Sequence, residues 1–117
     1  MADQIMKRVT ANDAASIYLL ANSYDNGTNG FQQDHAKAIK LYARAADLGH
    51  SKTHSQLASI YCEGGNLKKA KFHYEAAAML GHEVARFNLG SLDYNSGNME
   101  RAVKHWTIAA SAGYYLQ

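Results

Sequence analysis

The stretch Leu67-Lys-Lys-Ala-Lys-Phe-His-Tyr-Glu-Ala-Ala-Ala-Met-Leu-Gly-His82 decides how the chain is read, because two other segments repeat it. They run from Asp34 to His50 and from Asn98 to Tyr114. When Gly49, Gly81 and Gly113 are superposed, Ala38, Ala70 and Ala102 coincide, as do Tyr42, Tyr74 and Trp106, and then Ala45, Ala77 and Ala109. Self-similarity at a fixed period marks a repeat architecture, in which each unit buries its apolar face against its neighbours.

Working outward, the segments between these stretches align as well. Leu20-Ala21, Leu57-Ala58 and Leu89-Gly90 coincide, followed by Tyr24, Tyr61 and Asp93. The chain has no proline, and its apolar residues recur at helical spacing, so both kinds of segment read as helices. Asp34, Asn66 and Asn98 stand four residues before the aligned alanines, where each can cap a helix N-terminus. The aligned glycines fall just past the last apolar turn, where a residue at positive φ closes a helix at little cost. Each unit is therefore an A helix, a Gly/Asn turn, a B helix and a glycine stop. Leu57 and Leu89 are 32 residues apart but Leu20 and Leu57 are 37 apart, which places five extra residues in the turn from Asn26 to Gln33.

The 117 residues are read as a single repeat domain with units at about 12–49, 50–81 and 82–113. Residues 1–11 resemble the end of a preceding B helix, with Asn12 in the place of its glycine stop, and 114–117 read as the start of a further helix. Tyr115 and Leu116 on that edge are candidates for weak self-association, since terminal units of a repeat array normally need a polar outer face.

The motif Ala45-Ala46-Asp47-Leu48-Gly49-His50, preceded by Leu-Ala-x-x-Tyr and a glycine turn, resembles Sel1-like repeats, relatives of tetratricopeptide repeats. The resemblance covers nearly the whole chain. The third unit departs from it with Asp93 at the tyrosine and Ala112 at the final leucine. The family resemblance implies an all-α fold, a right-handed α-solenoid of antiparallel helix pairs whose A helices line a concave face. It also implies an adaptor role in multiprotein assemblies.

Composition limits the function classes. Twelve Lys and Arg against ten Asp and Glu give a net charge of +2, far from the clustered surplus that a phosphate backbone requires. Nucleic acid is not an expected partner. Lys68, Lys69 and Lys71 are read as a solvated helix face. A single cysteine, Cys62, makes no internal disulfide, and no window has the length of a signal peptide or membrane span. The expected location is intracellular, in the cytoplasm, with no membrane partner.

Candidate chemistry is sparse. His50 and His54 share a helical face, but Cys62 lies roughly 12 Å farther along at ~1.5 Å per residue, too far to ligate the same ion. His50 recurs as His82, and His73 as His105, which points to packing or local hydrogen bonding. Cys62 has no base and orienting group beside it in sequence, and Gly64-Gly65 lacks the phosphate-loop context. No enzyme activity, metal or cofactor is expected.

What remains is surface. Carried over from the wider tetratricopeptide class, the peptide-groove positions fall on Tyr18, Asn22, Asp25 and Asn26 in the first unit. They fall on Lys52, Ser55, Ser59 and Glu63 in the second, and on Phe87, Ser91, Tyr94 and Asn95 in the third. Aromatic residues in this set can anchor a peptide and amides can bond its backbone in both directions. The expected function is a non-catalytic scaffold binding a peptide or partner domain. The alternative is a structural spacer or self-assembling segment acting through its end faces.

Overall fold

Asp34, Asn66 and Asn98 each begin a helix in the same way: the side-chain oxygen accepts a hydrogen bond from the backbone N–H three residues on, at 3.1, 3.2 and 3.2 Å. Each satisfies one of the donors that a helix N-terminus leaves unpaired. The helices so begun end on Gly49, Gly81 and Gly113, at φ of 86°, 88° and 96°. Asn12, at φ 59°, closes the N-terminal helix with the left-handed conformation that asparagine tolerates best among larger residues.

The computed structural model describes residues 2–113. The expected C-terminal edge of Tyr115 and Leu116 lies outside the described residues. Seven helices follow in order: α1 (Ala2–Thr10), α2 (Ala14–Asn26), α3 (His35–Asp47), α4 (Ser51–Glu63), α5 (Leu67–Met79), α6 (Glu83–Asn95) and α7 (Met99–Ser111). Among the described residues there is no strand, and no helix is long and apolar enough to cross a membrane. The chain divides between Leu57 and Ala58, within α4, into two compact units.

In the first unit α2 packs on α1 and on α3. Its core joins Val9 of α1, Ile17 and Leu20 of α2, and Ala45 of α3. Arg44 binds α1 from α3, donating to the Val9 carbonyl at 2.9 Å and to the Asn12 side chain. The long turn after α2 is tied back to that helix. Asn29 donates to Ser23 Oγ at 2.9 Å, Gln33 donates to the Asp25 carbonyl at 2.9 Å, and the Phe31 ring meets Tyr24 at 5.0 Å. Five additional residues thus form an ordered loop that leaves both flanking helices in register.

In the second unit α6 packs on α5 and on α7. Ala58, Tyr74, Ala77, Ala85 and Leu89 form its core, with Cys62 and Leu92 against them. The repeated alanines occupy the positions expected of small contact residues: Ala38, Ala45, Ala70, Ala77, Ala102 and Ala109 are all buried. A side chain of that size lets helix axes approach closely.

Candidate functional site

The repeated aromatic of each B helix reaches an equivalent place on the A helix before it. In the first repeat the buried Tyr42 hydroxyl donates to Asn22 Oδ1 at 2.5 Å and reaches Asp25 Oδ2 at 3.3 Å. Burial, and then the Asp25 charge, raise the Tyr42 pKa well above the ordinary tyrosine value. In the second repeat Tyr74 shares side-chain hydrogen bonds with Cys62 and Asn88. In the third, Trp106 Nε1 donates to the Phe87 carbonyl at 3.2 Å, and its ring meets Tyr94 at 5.8 Å. Asp25, Cys62 and Tyr94 are the same repeat position, five after the aligned leucine.

None of the twelve sequence-derived surface residues is buried. In the first unit the Tyr18 ring lies 5.9 Å from Tyr42 and 5.1 Å from His50, and the Lys52 ammonium stands 5.5 Å over it. Ser55 is half-buried and Asn26 is exposed. Asn22 and Asp25 have second duties. Asn22 holds Tyr42, and Asp25 holds both Tyr42 and His35, whose Nδ1 is 2.8 Å from Asp25 Oδ1. In the second unit Ser59 is half-buried and Glu63 exposed. Phe87 stacks on Trp106 at 6.1 Å, Ser91 donates to the Phe87 carbonyl at 3.3 Å, and Tyr94 and Asn95 face solvent at the end of α6. Tyr94 is 50% exposed while its ring rests on Trp106.

The histidines serve the helix ends and interfaces. His82 Nδ1 accepts from the Ala85 N–H at 3.1 Å and so caps α6, while His50 Nδ1 lies 2.6 Å from Thr53 Oγ1 in the first turn of α4. Among the described residues no three His, Cys, Asp or Glu side chains converge as metal ligands. Burial pushes the Cys62 thiol above its ordinary pKa, against the opposing hydrogen bond from Tyr74, which disfavours the reactive thiolate.

Burial also lowers the pKa of His50, His54 and His105. At His105, Asp93 and Glu75 oppose that shift while Arg86 and Lys71 reinforce it. A depressed histidine pKa means that the unfolded chain takes up the proton first. Stability is therefore complete above the ordinary histidine value of about 6.5 and is lost as pH falls through the lowered folded values. Tyr42 and Tyr74 act at the other end. Their pKa values are raised, so their contribution is complete below about 10 and is lost at higher pH. Melting temperature measured from pH 5 to pH 11 is expected to fall at both ends, and a flat profile below pH 6.5 would contradict the histidine burial.

One constellation is absent from the surface set derived from the sequence. A cleft of about 590 Å³ opens among α5, α6 and α7, with Asp93 and Leu89 on its floor. Asp93 replaces the tyrosine of the earlier units and is 5% exposed. Lys71 Nζ lies 3.9 Å and His105 Nε2 3.5 Å from its carboxylate. Lys71, expected with Lys68 and Lys69 on a solvated face, instead turns partly inward toward this acid. Asp93 was visible in the sequence as a departure from the repeat; its burial was not.

The helix pairs, caps and stops recur in register with a known repeat. The Sel1 repeat family model matches residues 14–50, 53–82 and 84–114. The chain belongs to the Sel1-repeat family. A Sel1 repeat protein from Oxalobacter formigenes has the same fold, with a TM-score of 0.83 over 97% of this chain and 90% of that one, at 24% identity. A protective antigen of uropathogenic Escherichia coli that displays an SLR fold superposes with a TM-score of 0.80 and 27% identity. This chain is covered over 97% of its length there and spans 26% of the antigen. No curated protein matches the sequence. Sel1-repeat proteins typically serve as protein–protein interaction scaffolds and are generally non-catalytic.

Proposed function

We propose that this Sel1-repeat chain is a non-catalytic scaffold that docks a peptide or partner domain on the exposed side chains of its A helices. The observation that carries the reading is the contrast between the aligned B-helix tyrosines and the aromatics of the A helices. Tyr42 and Tyr74 of the B helices are buried, while Tyr18, Phe87 and Tyr94 of the A helices keep exposed surface backed by ring contacts. Aromatic anchors pre-positioned in this way dominate the energetics of protein interfaces. Asn95, Glu63 and Lys52 are exposed polar side chains of the A helices.

The test is selection from a random peptide library on the purified protein, followed by affinity measurement. Tyr94→Ala is expected to weaken the selected peptide at least about tenfold, the effect of a modest hot spot, with helicity and melting nearly unchanged. Undiminished affinity in that variant would contradict the proposal. Asn22→Ala is a poorer probe because its oxygen also supports Tyr42.

A further inference from the structure

The cleft among α5, α6 and α7 includes the position at which the third repeat departs from the first two. In the first, the Tyr24 ring is covered by the Lys37 ammonium at 5.0 Å. In the second, Tyr61 is covered by Lys69 at 5.2 Å and stacks on His73 at 5.6 Å. The third repeat has Asp93, Arg101 and His105 at those three positions. A carboxylate is smaller than a phenol, and Arg101 stands at the position of the cation that covers the ring in the other repeats.

Buried in the lining of this cleft, Asp93 Oδ2, Arg86 Nε and His105 Nδ1 make no hydrogen bond among the described residues. Asp93 Oδ2 makes none although His105 Nε2 stands at ion-pair distance, 3.5 Å. Arg86 Nε is buried and unpartnered too, although its Nη2 donates to the Ala78 carbonyl at 3.3 Å. A buried polar group left without a hydrogen bond is costly, and a peptide backbone carries both the donor that Asp93 lacks and the acceptor that Arg86 lacks. Around them Lys71, Arg86, Arg101 and Lys104 outnumber Glu75 and Asp93, and exposed Met79 and Ile108 add apolar wall. Cationic walls favour carboxylates, and the volume lies within the range that accommodates a ligand.

We propose that this cleft is a second binding site, on the far flank of α6 from Phe87 and Tyr94, and that its ligand is an extended acidic peptide segment. A large apolar side chain of that segment takes the volume of the missing tyrosine ring. The site stands independently of the A-helix surface, since it uses none of the same residues.

The experiment is fluorescence anisotropy with a labelled peptide of alternating glutamate and phenylalanine, against a counterpart in which lysine replaces glutamate. Saturable binding of the acidic peptide alone is expected, weakened at least tenfold by Arg101→Glu with Lys104→Glu. Both are exposed, so melting is expected to persist. Asp93→Tyr, which restores the ring of the other repeats, is expected to abolish binding, while Lys40→Glu on α3 leaves it unchanged. Equal binding of both peptides, undiminished binding by the charge-reversed protein, or displacement of the peptide by equimolar inorganic phosphate would each overturn the proposal. If Asp93→Tyr does not fold, the charge-reversed pair decides the question.

Discussion

Tyr42→Ala is expected to destabilise the protein by about 3–5 kcal/mol, the cost of truncating a fully buried aromatic. Tyr42 is wholly inaccessible, its ring lies against Tyr18, and its hydroxyl ends on Asn22 and Asp25. Alanine there removes the ring from the centre of the first unit and leaves two A-helix side chains without their shared donor. Tyr42→Phe separates the two losses. It keeps the ring and deletes only the hydroxyl, for an expected cost of about 0.5–1.5 kcal/mol, the net worth of a hydrogen bond whose acceptors stay within reach of solvent. Urea unfolding of Tyr42→Phe, Asn22→Ala and the double variant closes a cycle. Asn22→Ala should cost less when Tyr42 is already phenylalanine, and strictly additive values would show that the 2.5 Å contact carries no coupling.

Gly90→Ala is expected to destabilise although alanine is the better helix former. A Cβ on Gly90 would lie 2.7 Å from Trp106 Nε1 and 2.8 Å from its Cδ1, with the Ala102 carbonyl at 3.1 Å. The indole is rigid and is fixed by its bond to the Phe87 carbonyl, so relief requires moving α7 or breaking that bond. Overpacking of this kind typically costs about 1–3 kcal/mol, against a gain of up to about 1 kcal/mol from helix propensity. The first two repeats show what the pairing is for: Ala21 and Ala58 stand where Gly90 does, and the aromatics opposite are the smaller Tyr42 and Tyr74. In a Trp106→Tyr background the sign should therefore reverse, with Gly90→Ala stabilising or neutral. Thermal melting of the four proteins checks this, and destabilisation of equal size in both backgrounds would contradict the account.

These expectations also mark where the sequence was legible. The aligned glycines, the Asp and Asn caps and the small alanines follow from local chemistry repeated three times, and all are legible in the sequence. The substitution of Gly90 with Trp106 was equally present in the alignment. Its meaning needed the knowledge that these two repeat positions touch. The A-helix set was harder, because periodicity assigns a residue to a face without saying how its polar atoms are engaged. Asn22 and Asp25 face the surface yet brace Tyr42. Asp93 was noticed only as a departure from the repeat. That Lys71 and His105 gather around it depends on the spacing of three helices, which no single stretch encodes.

The central claim is that exposed A-helix side chains recognise a partner at a surface distinct from the cleft among α5, α6 and α7. Amide chemical-shift mapping of isotopically labelled protein, titrated with a library-selected peptide whose affinity Arg101→Glu with Lys104→Glu does not weaken, tests it most directly. The account predicts perturbations clustered at Tyr18, Lys52 and Ser55 in the first unit or at Phe87, Ser91, Tyr94 and Asn95 in the second, with α3 and α5 little changed. Perturbations confined to the exposed faces of α3 and α5 would contradict it.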